Sequence, residues 1–109
     1  MDFVDKKLKK AEIFNLRKKY GDYIKLTVDI KNTWVVAGGV LHTDGERLLL
    51  EKGSNQDDIW GGGISLPDRQ TDSMAVLNIR PRLGNDNLEI LDPSVRRKFH
   101  DIIDKYFKG

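Results

Sequence analysis

From Ile24 to Lys31 apolar and polar residues alternate without a break: Ile24, Leu26, Val28 and Ile30 interleave with Lys25, Thr27, Asp29 and Lys31. Successive side chains of a strand point to opposite faces of a sheet. The alternation therefore predicts a strand with one buried and one open face, and it obliges the neighbouring strands to continue both faces. Lys31-Asn32 reads as a tight turn, Trp34 to Thr43 as the second strand, and Asp44-Gly45 as a two-residue hairpin turn. Glu46 to Lys52 then returns as the third strand. Turns at these places put Val28 opposite Val35, Leu26 opposite Ala37 and Leu41 opposite Leu48. One face of this meander, residues 24–52, then gathers Ile24, Leu26, Val28, Ile30, Val35, Ala37, Leu41, Leu48 and Leu50. The other face carries Trp34, Val36, Val40 and Leu49 among Lys25, His42, Arg47 and Glu51. It is too apolar to stay wet, so the glycine-rich segment, a second subunit or a ligand is expected to cover it.

The flanks supply helices. Ile13, Leu16 and Tyr20 share one helical face over residues 11–20, after an extended start through Leu8 and before a stop at Gly21. Asp92-Pro93 opens a helix over 93–107, with Asp as the cap and Pro in the first turn. Its stripe is Val95, Phe99, Ile102, Ile103 and Tyr106. Ile64-Ser65-Leu66 and Met74 to Arg80 read as further strands, the latter stopped or placed at an edge by Pro81. The expected fold is α+β: a mostly antiparallel sheet of four to five strands, with both helices packed on one face.

Composition narrows the class. A chain of 109 residues with 39% hydrophobic and 33% charged residues fits one globular domain over residues 1–109. No cysteine is present, which removes disulfides and thiolate metal sites. No apolar run is long enough for a signal peptide or a bilayer span, so no membrane association is expected and the expected location is cytoplasmic. Residues 1–25 hold eight Lys or Arg against four Asp or Glu. Lys6, Lys7, Lys9, Lys10, Arg17, Lys18 and Lys19 could meet an anionic partner such as RNA, or could form a solvated helix face.

Candidate chemistry concentrates after Leu50, in Ser54-Asn55-Gln56-Asp57-Asp58-Ile59-Trp60 followed by Gly61-Gly62-Gly63. Asp57 and Asp58 could act as acid and base or hold a cation, but adjacent carboxylates on an extended chain diverge, and such residues also serve turns. The glycines lack the following helix and lysine of a phosphate loop. His42 near Glu46 could suit a metal, but a hairpin at Asp44-Gly45 separates them, so no metal or other cofactor is expected. Asn78 and Arg80 share a strand face, and Arg80 either grips an anion or pairs internally. The ligand-binding candidates are Ser54, Gln56, Asp58, Trp60, Asn78 and Arg80. His100 falls off its helix's apolar stripe and reads as surface.

The run His42-Thr43-Asp44-Gly45-Glu46, then Glu51-Lys52-Gly53-Ser54-Asn55-Gln56-Asp57-Asp58-Ile59-Trp60-Gly61, with Asp72-Ser73-Met74, Asn78-Ile79-Arg80-Pro81 and Gly84-Asn85, resembles a family of small archaeal and bacterial proteins of unknown function. The likeness extends to the N-terminal helix and the Asp-Pro helix. It implies no catalytic residues. It does lead one to expect a polar residue soon after the Trp-Gly pair, where this chain has Gly62-Gly63.

The functional expectation is a non-catalytic binding or interaction module, with a homodimer or protein partner on the second sheet face. The alternative is a small hydrolase or nuclease-like enzyme using Asp57 or Asp58, His42 and Arg80. RNA binding by the basic N-terminal segment is a third reading.

Overall fold

The computed structural model describes residues 1–108. Five strands form one sheet: β1 (Asp2–Val4), β2 (Tyr23–Asp29), β3 (Trp34–Ala37), β4 (Ile59–Ser65) and β5 (Gln70–Asp72). Their order is β1-β3-β2-β4-β5, and every pairing is antiparallel. The helices are α1 (Lys10–Tyr20), α2 (His42–Glu51) and α3 (Pro93–Phe107), and 3-10 turns lie at Gln56–Asp58, Val76–Asn78 and Pro81–Leu83.

The first hairpin follows the alternation. Val28 faces Val35 and Leu26 faces Ala37. The turn is organised by Asp29, whose Oδ1 accepts from the N–H groups of Lys31 and Asn32 and whose Oδ2 accepts from Ser54 Oγ. Burial opposes ionisation of this fully enclosed carboxyl. The Ser54 hydroxyl and the Asn32 and Lys31 donors outweigh it and hold the group below the usual carboxylate range.

α1 and α3 cover the face formed by Ile24, Leu26, Val28, Val35, Ala37 and Ile64. Ile13 and Leu16 come from α1, and Phe99, Ile102, Ile103, Tyr106 and Phe107 from α3. Asp92 caps α3 as expected, accepting from Ser94 N at 2.8 Å and Val95 N at 3.3 Å. His100 is half-buried rather than a surface residue: its Nδ1 lies 2.8 Å from Thr71 Oγ1 and its Nε2 3.2 Å from Ser73 Oγ.

Three expectations are corrected. The segment 42–51 is helix α2, not a third meander strand. Asp44 is a helix cap residue: its Oδ2 accepts from Leu41 N–H at 3.1 Å, and its own N–H donates to Leu41 O at 3.1 Å. Gly45 serves close packing, since a Cβ there would stand 2.8 Å from Thr27 Cβ. Leu41 and Leu50, assigned to the core by the meander, are therefore exposed. Second, Met74 to Arg80 is not a strand. It makes isolated bridges at Met74–Glu89 and Arg80–Asn85 around a 3-10 turn. Third, the second sheet face is no open partner surface. α2 covers it, burying Leu49 against Val36 and Ile59, with Phe3, Trp34, Leu48 and Leu77 around them.

The glycine run lies inside the sheet. β4 pairs along the whole of β2, from Tyr23–Ser65 to Asp29–Ile59, so the strand expected only at Ile64 begins five residues earlier. The glycines admit bulky neighbours. A Cβ at Gly61 would meet the His42 ring at 2.9 Å, and one at Gly62 would meet Phe99 Cζ at 2.7 Å.

Candidate functional site

α2 and the segment 76–80 enclose a cleft of about 560 Å³ beside the covered sheet face. The chain enters α2 through Gly38 and Gly39, both at positive φ, which swing it off β3 and across the sheet. His42 and Glu46, four residues apart, then face the cleft together. Lys25 reaches in from the face of β2 that α2 covers, and its ammonium donates to Val40 O.

The backbone sets the tautomer of His42. Nε2 lies 2.7 Å from Gly62 O, and a carbonyl only accepts, so Nε2 carries the hydrogen. Nδ1 keeps a lone pair and has no protein partner among the described residues. Burial pushes the imidazole below its ordinary value. The Gly62 carbonyl opposes this, nearby Lys25 adds to it, and Asp72 opposes it weakly. His42 is thus a neutral acceptor at the cleft wall.

Glu46 and Arg80 form the inner end. Arg80 Nη2 lies 3.5 Å from Glu46 Oε2, with side chains only 11% and 13% exposed. Gln56 Nε2 approaches the same oxygen at 3.4 Å. The guanidinium stands 5.1 Å from the Trp60 ring centroid, so the indole supports it from below. Arg80 Nη1 and Trp60 Nε1 are enclosed without a hydrogen-bond partner. Arg80 thus pairs internally, with Glu46 rather than with Asp57, Asp58 or Glu51.

Leu41, Val76, Leu77 and Ile79 make the cleft's apolar part. Leu41 is 58% exposed, Val76 76% and Ile79 44%.

Of the residues singled out from sequence, the cleft unites His42, Gln56 and Arg80. The others lie elsewhere. Ser54 serves the Asp29 turn. Asp57 pairs on the surface with Arg82, whose Nη1 is 3.2 Å from Oδ2. Asp58 lends its backbone carbonyl to Ile30 N–H and does not line the cleft. Trp60 is buried beneath Arg80. Asn78 is wholly buried: its Oδ1 accepts from Gly61 N at 2.8 Å and its Nδ2 lies 2.9 Å from Gly61 O. Lys25 and Thr43 join His42, Gln56 and Arg80 in the cleft, as does Glu46, which a hairpin at Asp44-Gly45 would have separated from His42. The His42–Glu46 spacing signals a shared face only once the segment is read as helix. Among the described residues no three His, Cys, Asp or Glu side chains converge as metal ligands.

Fold and cleft together define a small α+β protein with an amphipathic cleft between a helix and an irregular segment. The chain belongs to the family DUF5674, a protein family of unknown function whose model matches residues 2–106. Comparison with curated proteins and with solved structures returns no match. No helix of the described residues is long and apolar enough to cross a membrane.

Proposed function

We propose that the protein is a binding module and that the cleft between α2 and residues 76–80 is its site, taking a small amphipathic ligand. The observation that carries this reading is the exposure of Leu41, Val76 and Ile79 around one concavity that also holds His42, Lys25 and Glu46. Aliphatic groups left in water at a concave site favour an apolar occupant, and a few polar groups then orient it. His42 Nδ1 offers an acceptor, and Lys25 and Glu46 bring opposite charges to the lining.

The catalytic alternative is weaker. It needed Asp57 or Asp58 beside His42 and Arg80, and neither carboxylate lines the cleft.

The test is an amide-shift NMR titration with octanoate and, separately, octylamine, which share a tail and differ in head-group charge. Shifts confined to residues 41–46, 56 and 76–80, and lost in Val76→Asp, support the site. If neither amphiphile moves these amides, or if Val76→Asp binds as the parent does, the reading fails.

A further inference from the structure

On the far side of the sheet from the cleft, α1 presents Phe14 to solvent at 61% exposure. The fold gives no packing reason for an aromatic ring there. Ile13 and Leu16 already supply the buried face of α1, and Phe14 is absent from both apolar clusters. A Lys18 ammonium lies 5.7 Å from the ring centroid, one helical turn on. The ring lines one groove, between α1 and the β4–β5 turn, and a second groove toward the end of α3 adjoins it through Lys10, Ile13 and Arg69. Lys10 and Arg69 line both, Arg17 lines one and Lys108 the other, and no carboxylate lines either groove among the described residues. Two of these cations have acidic partners at the rim: Asp22 pairs with Arg17 at 2.8 Å and Asp104 with Lys108 at 3.0 Å. Both pairs are solvent-exposed, so they are weak and easily exchanged for a stronger anion.

A cationic groove that runs past an exposed aromatic face is what an unpaired polynucleotide needs. Its phosphates follow the charge, and an unstacked base finds a surface to stack on. We propose that this surface binds single-stranded nucleic acid, with a base stacked on Phe14 and the phosphates tracked by Lys10, Arg17, Arg69 and Lys108. It is separate from the cleft, so either site can fail without the other.

Fluorescence anisotropy of a labelled uridine dodecamer tests it, beginning at about 20 mM salt where electrostatic binding is strongest. Four phosphate contacts on a single strand predict a slope of log affinity against log salt of about −3. Phe14→Ala should weaken binding on the order of tenfold, and Phe14→Trp should retain it. The double variant Lys10→Glu with Arg69→Glu should flatten the salt slope. Lys10 and Phe14 are exposed, whereas Arg69 is half-buried and its Nη1 donates to Leu66 O at 2.7 Å, so circular dichroism checks that each variant keeps the fold. The proposal is overturned by no anisotropy change at low salt, by Phe14→Ala binding like the parent, or by equal affinity for a duplex of the same length. Capture by phosphatidylglycerol vesicles without oligonucleotide binding also overturns it.

Discussion

Asn78 does with a carboxamide what a neighbouring strand would do with its backbone. β5 pairs β4 only from Gly63 to Ser65, which leaves Gly61 without a strand on that side. The Asn78 side chain answers both Gly61 N–H and Gly61 O, and its Nδ2 also lies within 3.0 Å of the Ser73 and Leu88 carbonyls. Asn78→Ala leaves at least two buried backbone groups unpaired and should cost about 2–5 kcal/mol in urea unfolding. A loss under half a kcal/mol would mean that water replaces the amide without penalty. His42 makes the second prediction at this scale. Its folded pKa is below the unfolded one, so the unfolded chain binds the extra proton first. The neutral ring's contribution is complete above about pH 6.5, the unfolded value, and is lost as pH falls from there through the lower folded pKa. Stability measured between pH 7.5 and 5.5 should decline on acidification, and His42→Gln should reduce that decline. An NMR titration that puts the imidazole above its ordinary value, or places its hydrogen on Nδ1, would contradict the Gly62 hydrogen bond.

At the scale of elements, α2 is the decisive piece. Gly45 sits where the helix crosses β2, over Thr27. In an exposed helix interior, Gly→Ala stabilises by about 1 kcal/mol. Here the added methyl meets Thr27, so Gly45→Ala should reverse sign and destabilise by about 1–3 kcal/mol. Thermal unfolding of Gly45→Ala beside the double variant with Thr27→Ala separates the two contributions: relief by the second change identifies the contact. On the opposite face, α3 depends on Phe99, fully buried and in contact range of Gly62. Phe99→Ala should cost about 3–5 kcal/mol. Denaturant unfolding that shows well under one would place α3 off the sheet.

At the scale of the molecule, β2 and β4 form the spine. They share the longest ladder, seven residue pairs, while β1 and β5 are three-residue edges. Amide exchange should be slowest in β2 and β4 and fast in β1, β5 and the irregular stretch from Met74 to Leu91. If the α2 amides prove as protected as those of β2, the cleft wall is as rigid as the sheet. That outcome would favour a preformed site over one shaped by its ligand.

How much of this was legible depends on the range of the forces involved. The β2–β3 register, the span and cap of α3, and the stop of α1 at Gly21 rest on neighbours a few residues apart, and all follow from local pattern. α2 did not. Asp44-Gly45 carries equal local evidence for a hairpin turn and for a cap followed by close packing. Only Thr27, distant in sequence, selects the second. Likewise nothing near the three glycines in sequence shows what they face. His42, Tyr23 and Phe99 come from other elements and occupy the space their missing side chains leave. The cleft follows from the same choice: once residues 42–51 are helical, His42 and Glu46 share a face, and Arg80 and Gln56 meet them there. The sequence by itself determined the alternating sheet face, the two terminal helices and the polar, glycine-rich character of the segment after Leu50, because periodicity and capping are local. Only the tertiary structure decided that this segment is a central strand and that α2 covers the second face, because both turn on close approach between backbones far apart in the chain.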